Sequence, residues 1–478
     1  MLQQESSTAP KDHFEDFFDR ANGPEKANFA IKRPLIAAAR NGSEKVRSKR
    51  TPKPLPEPEP NPVEIVRSGE RRQFSPLLLR DMCQCNHCVD PSTRQKHFAT
   101  VDIPQAIVPR SVQLDETHVH ITWSNDIPGL DESHTTSIPL STIDNIIDTG
   151  RPVEPRQPLP RSLWDAQTYT EETHDFDYEA YMKDDSILLA ALQQLETHGL
   201  MFINNVPESA ESVETLAQRI GPLKTTFYGK TWDVRSVPEA KNVAYTSQNL
   251  GFHMDLMYMK QPPHLQLLHC IRSSAAGGAS LFSDSFRAAE NMARTDFADF
   301  STLSRIPVTY HYDHADHYYR QRRTVIEQRS FQIGPTQFKD FTDFARYKSR
   351  SETNSKRVPN LATMDFVEHV AWSPPFQGPF SLASEDTRRY GAPENFLNGA
   401  VRSWHAAAQK FNELIHLPEN VYERTMKPGE CVIFDNRRVL HARRAFEVGD
   451  AGKERWLRGA YIDKDPFMSK LKVMEEEK

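Results

Sequence analysis

The chain has 478 residues, 26% of them charged, and a formal net charge of −6. That length accommodates two or three domains. The charge balance lacks the basic footprint of a nucleic-acid binder, and no apolar run approaches the ~20 residues needed to span a bilayer.

Residues 1–62 read as disordered. They end in TPKPLPEPEPNP, which cannot bury a core and favours extended polyproline conformations. Met1 to Asp19 is acidic and lacks an apolar core region, so it does not read as a secretory signal. The basic stretch from Lys26 to Arg50 starts late for a mitochondrial presequence. The expected location is cytoplasmic, with mitochondrial as the alternative.

Residues 63–150 read as a small β-rich domain. Val119, Ile121 and Trp123 alternate with His118, His120 and Thr122, the period of a strand. Five cysteines make no disulfide framework in a chain of this size. Cys83, Cys85 and Cys88 are nevertheless crowded at C-x-C-x2-C spacing, a tight metal knuckle. A tetrahedral zinc needs a fourth ligand, and His87 and His97 are the nearest candidates by sequence.

Residues 151–174 form a Pro-rich linker, densest in RPVEPRQPLPRS. From 175 to 470 helices and strands mix. Asp184 and Asp185 can cap a helix carrying Ile187, Leu188, Ala191, Leu192 and Leu195, which stops at Gly199. A second helix carries Val213, Leu216, Ala217 and Ile220 and stops at Gly221-Pro222. A longer one carries Phe396, Val401, Trp404, Ala408, Phe411 and Ile415. Strand-like runs LMFINNV, HLQLLHCI, ECVIFDN and WLRGAYI lie between them. With no steady βαβ alternation, the fold class is α+β around an antiparallel sheet.

The chemistry concentrates in GFHMDLMYM, where His253 and Asp255 are two residues apart. On extended chain they share a face. A facial triad needs one more imidazole and leaves three positions open. His441, after a strand and the Asp435-Asn436-Arg437 turn, can supply it. An isolated H-x-D is a weak signal, so the downstream arginines matter. A 2-oxoglutarate cosubstrate leaves a distal carboxylate that an arginine fork binds in a bidentate manner. Strand parity puts Arg455, Leu457, Gly459 and Tyr461 on one face and Arg458 on the other. Arg455 is therefore preferred. His311, His314 and His317 fit neither a strand face nor a closed zinc site, and read as a strand end and loop near a substrate entrance.

With LRDMCQCNHC, VHITW, YGKTW, KNVAYTSQNLGFHMD, PPHLQLLHCI, GGASLFSDSF, KPGECVIFDNRRVLHARRAF and RWLRGAYIDKD, the chain resembles the γ-butyrobetaine and trimethyllysine dioxygenase family from about Leu79 to Met468. That family lies within the taurine dioxygenase-like Fe(II)/2-oxoglutarate oxygenases. The resemblance implies a double-stranded β-helix (jelly-roll) catalytic domain with flanking helices, preceded by a small zinc-binding domain. It implies Fe(II) on His253, Asp255 and His441, 2-oxoglutarate on Arg455 with Ser280 nearby, and Zn(II) on Cys83, Cys85, Cys88 and His134. Ascorbate is the implied reductant. Tyr228, Trp232, Tyr245 and Tyr461 fall where the family cages a trimethylammonium group, which aromatic faces attract. Asn242 matches a butyrobetaine-type substrate contact. Leu256 and the segment 370–382, VAWSPPFQGPFSL, depart from that type.

The implied reaction is hydroxylation of a small trimethylammonium amino acid, γ-butyrobetaine to carnitine first. Trimethyllysine or another small substrate is the alternative, and an inactive zinc-containing interaction protein is the rival. The expected partner is a small-molecule substrate, with no nucleic acid and no membrane, in a homodimer.

Overall fold

The computed structural model describes residues 61–153, 156, 158–235, 247–274, 276–333, 336–352, 361–381, 392–447 and 455–476. The segment read as disordered lies outside the described residues up to position 60. Two compact units divide between Val153 and Glu154.

In the first unit, β1 (Val63–Arg67) and β2 (Glu70–Phe74) form a hairpin closed by Ser68 and Gly69, both at positive φ. Such a turn matches the right-handed twist of the strands. A three-stranded antiparallel sheet follows, β3 (Pro109–Leu114), β4 (His118–Trp123) and β5 (Thr135–Pro139). The alternation read in β4 is its packing pattern, with Val119, Ile121 and Trp123 all buried in the unit's core.

The second unit is strand-rich. In chain order come β6 (Phe176–Asp177), β7 (Leu200–Asn204), β8 (Thr231–Arg235), β9 (Leu250–His253), β10 (Leu265–Arg272) and β11 (Ser280–Asp284). Short strands follow: β12 (Val308–Asp313), β13 (Tyr318–Arg323), β14 (Ile326–Gln328), β15 (Phe331–Ile333), β16 (Thr336–Phe338) and β17 (Val367–Val370). The last are β18 (Tyr422–Arg424), β19 (Glu430–Asp435), β20 (Val439–Arg443) and β21 (Trp456–Ile462). They build a six-stranded sheet, β6-β7-β19-β10-β21-β8, and a four-stranded sheet, β18-β11-β20-β9. Within these two sheets every pairing is antiparallel except β6–β7. The sheets face each other, with Phe202 and Phe434 of one against Phe282 of the other. This is the jelly-roll arrangement.

Strand β10 shows how burial divides. Leu265 and Leu267 join the core formed with the Asp185–His198 and Ser212–Ile220 helices, while Gln266 and Leu268 turn to a cavity between the sheets. The Asp185–His198 helix has Asp184 as N-cap, accepting from the Ser186 amide, and ends at Gly199 in the left-handed region. The long helix spans Pro393–His416 and buries Trp404, Ala408, Phe411 and Ile415. Phe396, expected on that stripe, is exposed because it sits in the first turn, before the helix reaches the core. Within 151–174, read as linker, Ala166–Glu172 is helical and Trp164 and Tyr169 are buried in this unit's core.

Candidate active site and metal centres

His253 ends β9 and His441 sits in β20, directly opposite it in the antiparallel register. Their ring centroids are 4.1 Å apart. The chain leaves the strand after His253 and turns sharply at Leu256, whose φ is 60°. Just before that turn, Asp255 Oδ1 lies 3.5 Å from His253 Nε2. The donor atoms of His253, Asp255 and His441 lie within 4.8 Å of one another.

A left-handed Leu is uncommon and needs support. Asn436 gives it. Its side-chain oxygen accepts from the Asp255 amide at 2.8 Å, and its NH2 donates to the Asp255 and Pro263 carbonyls at 3.0 and 3.2 Å. The residue read only as part of a turn thus pins the backbone of a metal donor, and it is fully buried.

Protonation suits a cation. His253 Nδ1 is 2.9 Å from the Gly251 carbonyl. A carbonyl only accepts, so Nδ1 carries the proton and Nε2 offers its lone pair. Burial, with the neighbouring His253, pushes His441 down to about 3, which keeps it neutral. Burial alone would raise Asp255. Its contacts with His253, His441 and the Tyr461 hydroxyl outweigh that and hold the carboxyl well below the usual range. Two imidazoles and one carboxylate are the donor set of a non-haem Fe(II) oxygenase.

The cavity beside these donors is lined by both sheets. Arg455 opens onto it and is buried. Burial pushes its guanidinium down from its ordinary value. No carboxylate is bonded to it among the described residues. Arg458, one strand face away, instead donates to Asp233 at 2.7 Å and Thr231 at 2.8 Å. Ser280 lines the same cavity and pairs across the sheet with Arg443. Arg443 is a cavity residue that sequence reasoning missed. Its guanidinium and that of Arg455 share the Phe446 ring, at 4.8 and 5.5 Å from the centroid. The loop before Ser280 reaches this end through Gly277 and Gly278, both at positive φ. A side chain on Gly277 would meet the Ala445 carbonyl at 2.4 Å.

Tyr228, Trp232 and Tyr461 also line the cavity. Trp232 and Tyr461 are stacked, with centroids 4.0 Å apart and planes at 24°. Tyr228 is 6.3 Å from Trp232. Asn242 and Tyr245 lie outside the described residues. The wall contains three further aromatics, Tyr258, Phe282 and Phe376, as well as Leu256. Tyr258 was visible in GFHMDLMYM, three residues after Asp255. Phe376 comes from the divergent segment 370–382, where no local signal marks it.

In the first unit, Cys83, Cys85, Cys88 and His134 form a second donor cluster. His134 Nε2 is 3.5 Å from the Cys83 sulfur and 3.4 Å from those of Cys85 and Cys88. His87 and His97 are exposed. His134 Nδ1 bonds Asp126 at 2.7 Å, and Asp126 pairs with the buried Arg80 at 2.5 Å. Asp126 and the Cys83 sulfur raise His134 to about 10. Three thiols and one imidazole at this spacing suit a closed tetrahedral zinc, and the carboxylate behind the histidine orients it.

His311, His314 and His317 occupy the β12–β13 hairpin without converging. His317 lies 5.0 Å from the Phe227 ring and His314 lies 4.3 Å from that of Tyr312. Among the described residues no helix is long and apolar enough to cross a membrane.

Known proteins match on the same ground. The family described as taurine catabolism dioxygenase TauD, TfdA matches residues 155–461. The family described as γ-butyrobetaine hydroxylase-like, N-terminal, matches 63–138. The dioxygenase str8 of Strobilurus tenacellus is 34% identical over 83% of this chain and 84% of its own length. Human mitochondrial trimethyllysine dioxygenase is 26% identical over 84% of this chain and 83% of its own. Human γ-butyrobetaine dioxygenase is 26% identical over 85% and 92%.

Proposed function

This chain belongs to the TauD, TfdA family of Fe(II)- and 2-oxoglutarate-dependent dioxygenases, and from that premise we propose that it hydroxylates a C–H bond of a small ammonium-bearing substrate beside His253, Asp255 and His441. One observation carries the reading. The buried Arg455 guanidinium has no carboxylate bonded to it among the described residues, and it opens onto the cavity where three metal donors converge. A buried charge costs several kcal/mol unless paired. The distal carboxylate of 2-oxoglutarate is the missing partner.

In this proposal His253, Asp255 and His441 hold Fe(II), and Arg455 anchors the cosubstrate with Ser280 beside it. When bound, the iron and 2-oxoglutarate would let O2 act as the oxidant, one oxygen atom entering succinate as 2-oxoglutarate loses CO2 and the other becoming the substrate's new hydroxyl. The chain positions and shields. Leu256, Tyr258 and Phe376 wall the cavity, and excluding water there protects the substrate's reacting end. The Cys83, Cys85, Cys88 and His134 cluster holds Zn(II) as a structural centre. The intact donor set leaves nothing to favour an inactive interaction protein.

The substrate is read more coarsely than γ-butyrobetaine. Human γ-butyrobetaine dioxygenase and human trimethyllysine dioxygenase are equally distant at 26%, and the str8 dioxygenase is nearer than both. Trimethyllysine or another small molecule is the better-supported class, and the ammonium group is this proposal's own narrowing of it. Carnitine formation, with Asn242 and Tyr245 as substrate contacts, is a narrower proposal within it. The test is mass spectrometry of purified protein with Fe(II), 2-oxoglutarate, ascorbate and a panel of betaines and methylated lysines. The expected result is a one-oxygen mass gain on one panel member, with matched succinate, lost in His253→Ala. Turnover by His253→Ala at wild-type level would remove the iron assignment. A panel without product would remove the ammonium class.

A further inference from the structure

Tyr461 does more than present a ring to the cavity. Its hydroxyl donates to Asp255 Oδ2 at 2.7 Å. The other oxygen of that carboxylate, Oδ1, faces His253 Nε2 at 3.5 Å. The two oxygens of Asp255 are therefore assigned to different partners: one points at the metal-donor cluster and one is held away by a phenol.

We propose that Tyr461 is a positioning residue that keeps Asp255 monodentate on the metal, and that Gly459 and Trp232 form the brace that holds it there. This rests on the reading of His253, Asp255 and His441 as the iron ligands. The coordination count shows why it matters. Six positions surround the metal, and a two-His, one-carboxylate triad leaves three open. The keto-acid end of 2-oxoglutarate would take two, which would leave one free for the reaction. A carboxylate that swung to bind through both oxygens would take the third position. A donor fixed on Oδ2 opposes that swing.

The brace is visible in the packing. Trp232 on β8 lies directly opposite Gly459 on β21. A Cβ on Gly459 would sit 2.4 Å from Trp232 Cζ2 and 2.5 Å from Cε2. Only glycine lets the indole lie flat against the strand. Lying there, Trp232 stacks on Tyr461 two residues along, at 4.0 Å and 24°. The phenol ring is thereby confined from one side, and its hydroxyl is confined by Asp255. The stack also means that Trp232 and Tyr461 each cover one face of the other. A cation cannot enter between them, so part of the expected cage serves the iron ligand.

The test is Tyr461→Phe, which keeps the ring and the stack but removes the hydroxyl. Co(II) replaces Fe(II) as an oxygen-stable probe. Its affinity is measured by calorimetry, and its visible absorption is recorded at saturating metal and 2-oxoglutarate. Loss of an outer partner of a metal ligand typically weakens metal binding 10–100-fold, and that range is expected here. The saturated spectrum should also differ from wild type, because the carboxylate changes denticity. A purely structural role would leave the saturated spectrum unchanged. Tyr461→Phe binding Co(II) within twofold of wild type, with an identical spectrum, overturns the proposal. Gly459→Ala keeps the hydroxyl and displaces the indole, and a shift in the same direction is expected. Unchanged Co(II) affinity in that variant overturns the brace. The iron-site reading fails differently: wild type and His253→Ala would then bind Co(II) alike.

Discussion

Replacing Arg455 by Met separates a cosubstrate anchor from a structural cation. The guanidinium is buried, with only 6% of its surface exposed. It opens onto the cavity and has no bonded carboxylate among the described residues. Removing one partner of a buried, hydrogen-bonded charge pair costs about 3–5 kcal/mol. At about 1.4 kcal/mol per decade, that is roughly 100- to 4000-fold in affinity. Arg443 shares the Phe446 ring with Arg455 and keeps part of the positive field. The lower end, about 100-fold, is therefore expected for the rise in the cosubstrate KM, measured as succinate formed against 2-oxoglutarate concentration. At saturation kcat should be little changed, because the lost interaction binds ground and transition states alike. The unliganded protein should melt no lower than wild type, since Met removes a buried charge without stranding a carboxylate. Arg458→Met, which removes the pair with Asp233 on the opposite face, should leave this KM within about threefold. A shift under threefold for Arg455→Met, or equal shifts for both variants, would refute the assignment and the parity argument beneath it.

Three other perturbations read separate parts of the molecule. The first unit should carry about one zinc per chain, separate from iron; Cys85→Ser should release it, and Asp126→Asn, which removes the carboxylate behind His134, should weaken it about 10–100-fold by metal competition. Wild-type protein without zinc in elemental analysis would count against the centre. His269 is fully buried, neither ring nitrogen has a partner among the described residues, and burial pushes it down to about 4 from an ordinary 6.5. Its folded value is depressed, so the unfolded chain takes up a proton that the folded one refuses, and stability falls as pH drops below about 6.5. Between pH 7 and 5 the loss should be on the order of 2 kcal/mol. His269→Leu should lose less stability over that interval in urea titrations, and an unchanged pH slope would contradict the burial argument. Finally, a trimethylammonium ligand should bind more tightly than its neutral tert-butyl isostere. Cation–π contributions in a desolvated site are about 2 kcal/mol, or roughly 30-fold; equal affinities would make Tyr228 and its neighbours mere packing.

Elements with a clear local period were legible along the chain. The β4 alternation, the Asp184-capped helix ending at Gly199, and the runs that became β7, β10, β19 and β21 all follow from which side of each segment is apolar. Phe396 was not legible, because helical period says nothing about where along its length a helix meets the core. The donor types were legible too: the weak H-x-D signal gained weight from the later His441 and Arg455, and three cysteines seldom crowd so closely unless a metal holds them. Which histidine completes the thiol cluster was not settled by spacing, which favoured His87 and His97. His134 lies beyond β4, and it meets the sulfurs only because the sheet folds back.

What the sequence alone determined is each residue's chemistry and the side of its own segment on which it lies, because strand and helix periods are local properties of the backbone. Parity placed Arg455 with Tyr461 and set Arg458 apart. Only the tertiary structure decided what those faces meet. Asn436 reaches Asp255 across 181 positions, Tyr461 reaches it across 206, and Trp232 lies on a glycine in a strand more than 200 residues later. Such meetings depend on sheet register and on loop closure between distant segments, and neither leaves a periodic trace in the chain. The two oxygens of one carboxylate are alike in the sequence; the fold alone gives one to the metal donors and the other to a phenol.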